Sequence, residues 1–288
     1  MFLIKWVSLL PFWFWYRVSD VMFFFVYYVF GYRKDVVRSN IELAFPEKSP
    51  QEVKVIMRQF YCNLMDVIVE TIKGFTVSEA NLRRRITVQD GQDLYKYVKQ
   101  YPGVVCMGSH HTNWEYMQLR FSATYNFPLL GVYKKLSNQK VEKLMVDMRS
   151  RFGSIPVEIQ DALSAVRAQK NFYAVGLIAD QSPQVRKKTL RMKFFGKKVP
   201  VYQGPMVLAR LFDLPVVFIH MRRVKRGHYQ MYLEPIAQPP YENVEEQIMA
   251  KYIDILETEI KEDPAGYLWS HKRWKHAIPE VDNATVSD

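Results

Sequence analysis

Two cysteines in 288 residues, Cys62 and Cys106, are too few for a disulfide framework. Both sit among apolar neighbours without metal-ligand spacing, so they read as buried free thiols of a reducing compartment. The chain also lacks a Walker-type phosphate loop, zinc-ligand spacing and a nucleophile elbow. Phosphate-loop nucleotide chemistry, a structural zinc site and an acyl-serine route therefore have no support in the sequence, and no metal or cofactor is expected. Acidic residues are in short supply: 29 Asp and Glu against 40 Lys and Arg leave a formal charge of +11. That surplus favours an anionic partner: lipid headgroups, a phosphorylated substrate, an acidic carrier protein or nucleic acid.

A long uninterrupted apolar run is missing too. Residues 2–30 are densely aromatic, with Phe12-Trp13-Phe14-Trp15-Tyr16 at their centre, but Arg17 and Asp20 interrupt them. Neither half reaches the ~20 apolar residues that a membrane-crossing helix needs. A cleaved signal peptide does not fit, because the apolar region is aromatic and no small-residue cleavage site follows. A membrane-surface anchor fits best: Trp and Tyr favour the interface, and Arg33, Lys34 and Arg38 follow at once to meet anionic headgroups. The competing reading is a hydrophobic helix packed on the protein's own core. The cations after residue 30 place the remainder of the chain on the cytoplasmic side.

Hydrophobic residues make up 49% of the chain, enough to bury a sizeable core. Residues 36–47 read as a connector. Ser49-Pro50-Gln51-Glu52 has the form of a capping box that opens a helix, with Gly74 as its stop. From Arg85 onward, strands and helices alternate. Strands are expected at 86–88, 104–107, 129–133, 155–159, 172–179, 216–221 and 229–233. Helices are expected at 92–99, 113–121, 139–152, 162–169, 204–212 and 242–261. This pattern predicts an α/β fold, a single mixed and mainly parallel sheet flanked by helices, with an N-terminal hydrophobic membrane-anchoring arm. The last two strands form a hairpin at Gly227. The expected division is an anchor at 1–34 and one catalytic domain at 35–288.

The chemistry concentrates at Gly108-Ser109-His110-His111-Thr112-Asn113-Trp114-Glu115. An apolar strand ends in a small-residue turn, an imidazole follows, and a carboxylate stands five positions later. His110 is the candidate general base for a hydroxyl, and Glu115 the group that fixes its tautomer. Five residues rotate about 140° on a helix, so the two meet only if His110 lies in the turn before it. The plainer reading of His110 is a helix cap. His111 reads as a flank. Asp180-Gln181 closes another strand and would reach the same rim; a turn-forming Asp is the alternative. Arg149 would hold a phosphate or a developing oxyanion, unless it lies on a solvated helix face. Lys187, Lys188, Arg191, Lys193, Lys197 and Lys198 surround Phe194-Phe195-Gly196 as a basic loop, suited to an anionic lipid surface or to nucleic acid.

These blocks, in this order, resemble the lipid A late acyltransferases (lauroyl/myristoyl type) of the lysophospholipid acyltransferase superfamily. Residues 109–115 resemble that family's G-H-x-G-N-W-E block, with Ser109 and Thr112 where it has glycine. Residues 132–138 with Arg149 and Gly153, then Ala179-Asp180-Gln181, Phe194-Phe195-Gly196, Gly204-Pro205 and Trp269-Ser270-His271-Lys272-Arg273-Trp274-Lys275, follow in family order. Lys134 stands where Arg is common. The resemblance implies a membrane-bound acyltransferase at the cytoplasmic face of the bacterial inner membrane. Its catalytic dyad would be His110 and Glu115. Its substrate-binding residues would be Arg149, Asp180, Gln181, Asn113, Tyr133 and Lys134. Its donor would be acyl carrier protein or acyl-CoA, and its acceptor a lipid A precursor at an anionic membrane surface, with no nucleic acid. The same dyad on a glycerophospholipid, amino-acid lipid or other glycolipid is the nearest alternative. A non-catalytic membrane- or nucleic-acid-binding protein stands further off, because it gives no reason for His110 and Glu115.

Overall fold

A computed structural model describes residues 2–89, 94–185, 189–241 and 245–278. Its longest helix, Pro50–Lys73, opens as the sequence requires. The Ser49 hydroxyl accepts from the Glu52 backbone N–H at 3.3 Å, and Glu52 Oε2 accepts from the Ser49 N–H at 2.9 Å. That reciprocal pair satisfies two donors at the helix start. Val53, Ile56, Met57, Phe60 and Tyr61 bury one face of it in the core.

Among the described residues nine strands form: β1 Ile86–Val88, β2 Gly103–Gly108, β3 Leu129–Tyr133, β4 Ile155–Glu158, β5 Tyr173–Ile178, β6 Arg191–Phe194, β7 Lys197–Pro200, β8 Val216–Lys225 and β9 His228–Ala237. Seven of them make one sheet in the order β1-β9-β8-β2-β5-β3-β4, parallel except for the β8–β9 hairpin at Gly227. Every residue of β2 is buried, which identifies it as a central strand covered on both faces. Val105 and Met107 face the core with Ile248, Tyr252 and Leu208. Val104 and Cys106 face the other way, with Tyr116, Leu119 and Phe121. Burial pushes the Cys106 thiol well above its ordinary range, as an inert packed sulfur requires.

Besides a short helix at Glu79–Arg85 that was not expected, two segments differ from expectation. The presumed connector is largely a helix, Lys34–Ala44, whose Val37, Ile41 and Ala44 are buried at helical spacing. The basic loop is a hairpin: β6 and β7 pair antiparallel around Phe195 and Gly196, both at positive φ (47° and 72°). Two such residues between the strands give the turn whose twist suits a hairpin. The expected starts at Gln92 and Glu242, and Lys187 and Lys188, lie outside the described residues.

The N-terminal arm comprises helices Phe2–Ser8 and Phe12–Phe23 and a π-helical turn Phe24–Val29. Among the described residues no helix is long and apolar enough to cross a membrane. The arm lies along the Pro50–Lys73 helix: Trp15, Ser19 and Tyr27 are buried, and Ser19 Oγ donates to Asp66 at 2.7 Å. Its opposite side leaves Trp6, Trp13, Phe24 and Phe30 more than half exposed. The arm thus has one face packed on the domain, as the competing reading expected, and one aromatic face left uncovered.

Candidate active site

Register alone brings the first two functional groups together. Gly108 at the end of β2 lies opposite Ile178 at the end of β5. His110 and Asp180 each follow by two residues, so they leave the sheet side by side at its carboxyl rim. His110 Nδ1 lies 2.7 Å from Asp180 Oδ1, and the His110 backbone N–H donates to Asp180 Oδ2 at 3.1 Å. Asp180 is buried, whereas the imidazole is partly open to solvent. Burial by itself would raise the Asp180 carboxyl. The His110 imidazole, acting through charge and both hydrogen bonds, and the nearby Arg273 guanidinium hold it below the usual carboxylate range. An ionised Asp180 keeps the ring proton on Nδ1 and leaves the Nε2 lone pair available. The Gln181 side-chain nitrogen stands 3.3 Å from that Nε2, and the Trp114 ring meets the imidazole edge-on at 5.1 Å.

Glu115 does not take the expected place beside His110. Its carboxylate accepts from Arg149 Nε at 2.9 Å and from Arg149 Nη2 at 2.6 Å. His110 does lie in the turn before helix Trp114–Ser122, as a meeting with Glu115 would require, but its Nδ1 is taken by Asp180 and the Glu115 carboxylate by Arg149. Arg149, the last residue of helix Gln139–Arg149, supplies a planar fork that matches both carboxylate oxygens. Burial disfavours the charged guanidinium, but Glu115 outweighs it and holds Arg149 above its ordinary range. Arg149 therefore does not lie on a solvated helix face. It also stands 5.7 Å over the Tyr133 ring, and the Tyr133 hydroxyl donates to Glu142 at 2.5 Å.

Asn113 is fully buried and caps helix Trp114–Ser122: its Oδ1 accepts from the Tyr116 N–H at 2.9 Å. Its amide nitrogen donates to Glu70 at 2.6 Å, so it supports the site from beneath. Lys134 is exposed at the end of β3. His111 is buried, with Nε2 2.9 Å from the Asp263 carbonyl.

The C-terminal segment contributes more than its sequence signalled. The Leu268 N–H donates to the His110 carbonyl at 3.0 Å, and the Thr112 N–H donates to the Gly266 carbonyl at 2.8 Å. His271 Nε2 accepts from the Ser182 N–H at 3.1 Å. Burial pushes the His271 imidazole below its ordinary range, so it is suited to act as a neutral acceptor. The only sequence signal for these contacts was the Trp269–Lys275 block, with no role attached to its members.

A buried carboxylate and the imidazole it orients, at the carboxyl rim of a mainly parallel sheet, are the arrangement of an α/β enzyme. The chain belongs to the bacterial lipid A biosynthesis acyltransferase family, whose model matches residues 1–276. It is 26% identical over 247 residues to a lipid A biosynthesis palmitoleoyltransferase of Escherichia coli (strain K12), covering 84% of this chain and 79% of that protein. It is 24% identical over 245 residues to the lipid A biosynthesis lauroyltransferase of the same strain, again covering 84% and 79%. A lipid A biosynthesis acyltransferase of Haemophilus influenzae is 24% identical over 248 residues, covering 84% and 78%. The protein is accordingly an acyltransferase.

Proposed function

We propose that the protein moves a fatty acyl group from an acyl thioester, with acyl carrier protein as the carrier, to a hydroxyl of a lipid A precursor. The observation that carries the mechanism is the 2.7 Å contact between His110 Nδ1 and Asp180. With Nδ1 engaged, Nε2 takes the proton of the acceptor hydroxyl as its oxygen attacks the thioester carbonyl. A C–O bond forms, the tetrahedral intermediate collapses, and the C–S bond breaks. The imidazolium then returns the proton to the departing thiolate. The ester forms directly in a ternary complex, without an acyl-enzyme. Asp180 orients the base and stabilises its charged form. Glu115 acts through Arg149, holding a guanidinium at the site mouth, where its remaining N–H groups meet phosphate or developing oxyanion charge.

Residues 1–34 serve as the anchor in this reading. The exposed aromatic face of the arm lies in the cytoplasmic leaflet of the bacterial inner membrane, and the surplus cations meet anionic headgroups. The acidic carrier protein suits the same positive balance. The test is mass spectrometry of a Kdo-bearing tetraacyl lipid A precursor incubated in detergent micelles with a panel of acyl-carrier-protein thioesters. A gain of one acyl group that disappears in His110→Ala is expected. No gain from any donor, with folded protein, would redirect the acceptor to glycerolipids or amino-acid lipids.

A further inference from the structure

The arm is latched to the domain by several polar contacts, but one of them continues into the active site. Lys73 Nζ donates to the Ser8 and Leu10 carbonyls at 2.6 and 2.8 Å, and Arg226 binds Asp66 and Asp20. The Lys73 contacts end at the arm, and Asp66 passes through Arg223 and Asn63 to the Ala265 carbonyl rather than to the Asn113 cap. Glu70 differs. Its Oε1 accepts from the arm's Tyr16 hydroxyl at 2.8 Å, and its Oε2 accepts from Asn113 Nδ2 at 2.6 Å and from the Tyr229 hydroxyl at 2.7 Å. Glu70 is fully buried. Asn113 is the cap of the Trp114–Ser122 helix and stands three residues after His110.

The neighbouring hairpin is shaped to admit this link. A Cβ at Gly227 would lie 1.9 Å from the Tyr16 hydroxyl and 2.7 Å from Arg85 Nη1, and Gly227 has φ +71°. Only glycine lets the turn close over Tyr16 while the phenol reaches inward. Burial drives the Glu70 carboxyl up, and its three donors partly offset that.

We propose that Glu70 is a positioning residue that couples docking of the N-terminal arm to the geometry of the catalytic turn, through Tyr16 on one oxygen and Asn113 on the other. The acyltransferase reading above is needed for the kinetic half of this statement. The structural half stands without it.

Full-length wild type, Tyr16→Phe, Glu70→Gln and Glu70→Met are compared by hydrogen exchange at the Tyr116 amide, whose N–H the Asn113 cap holds, and by acyl-transfer kinetics. Tyr16→Phe removes only the arm's donor. It should speed exchange at Tyr116 about fivefold, the factor one net hydrogen bond is worth. It should lower kcat by a similar factor with the donor KM unchanged, while β2 and β5 amides exchange as in wild type. Glu70→Gln keeps all three contacts by reversing the Tyr16 bond, so it should restore near-wild-type behaviour. Glu70→Met should match or exceed Tyr16→Phe; if it does not fold, Tyr16→Phe alone decides. Wild-type exchange at Tyr116 in Tyr16→Phe overturns the proposal, as does an increase spread evenly over β2 and β5. If wild type transfers no acyl group from any thioester, the acyltransferase reading fails, and the exchange data still decide the coupling.

Discussion

Replacing Asp180 with Asn tests the base assignment with almost no change in shape. His110 presents two donors to this side chain: its ring Nδ1–H to Oδ1 at 2.7 Å and its backbone N–H to Oδ2 at 3.1 Å. A carboxylate accepts both. An amide accepts only one. If the amide oxygen faces the backbone, its NH2 faces Nδ1 and drives the ring proton to Nε2, which removes the lone pair that takes the substrate proton. If the amide is flipped, the buried backbone N–H meets another donor. The first arrangement forces the wrong tautomer, a defect that costs about 10⁴ in kcat in the serine-protease triad. Asp180→Asn should therefore lose about 10³–10⁴ in kcat while its circular dichroism and donor KM stay near wild type. The pH dependence of stability supplies an independent sign. Asp180 is held below its ordinary range in the folded protein. The stability it contributes is fully present above its unfolded value, about 3.9, and is lost as pH falls through the folded one. The variant's Tm should thus fall less steeply than wild type as pH drops below about 4. Retention of a tenth or more of wild-type kcat would refute the role given to Asp180.

Two further outcomes follow from contacts elsewhere. Glu115→Ala strands the mostly buried Arg149 guanidinium without its bidentate partner. It should lower unfolding free energy by about 3–5 kcal/mol in urea titrations, and Glu115→Gln should cost less. Changing Trp13, Phe24 and Phe30 together to Ser removes three exposed aromatic side chains from the arm. Each is worth roughly 1.5–3 kcal/mol when buried, so sedimentation with anionic vesicles should weaken by at least about 100-fold while Tm changes little.

The sheet was largely legible because its strands are short apolar runs closed by turn residues. The seven strands of the main sheet fall where those runs lie, β3 at its expected bounds. The Ser49–Glu52 cap was legible because it is a local motif. What failed was non-local. Nothing in the sequence says that β2 and β5 are neighbours, and that adjacency makes Asp180 the partner of His110. The five-residue spacing drew attention to Glu115, yet the helix turns that side chain toward Arg149. The β6–β7 hairpin was hidden because Phe195 occupies positive φ, where sequence patterns expect Asn, Asp or Gly. The Lys34–Ala44 helix was hidden by its polar composition, although Val37, Ile41 and Ala44 carry its buried face.

Ser109 and Thr112, the two residues that stand where the resembled block has glycine, are each tied to a different element. Thr112 sits at φ 52°, a left-handed conformation that costs a β-branched residue of the order of 1–3 kcal/mol. Its hydroxyl donates to the Met221 carbonyl and its N–H donates to the Gly266 carbonyl, so the strained residue is tied to β8 and to the C-terminal segment. Ser109 Oγ donates to Glu259 at 2.8 Å. Burial would raise Glu259, but His111, His220 and Ser109 keep it below the usual carboxylate range. A Cβ at Gly108 would lie 2.6 Å from the Met117 terminal methyl, which would have to move aside. A glycine-rich turn owes its shape to backbone freedom. This one has less freedom to lose, since Ser109 and Thr112 are each bonded to a different element. His110 lies between them, with its carbonyl held by Leu268 and its ring held by Asp180. For the role proposed for His110, a turn fixed in this way needs little reorganisation, and that is the form in which fixed protein dipoles accelerate chemistry most.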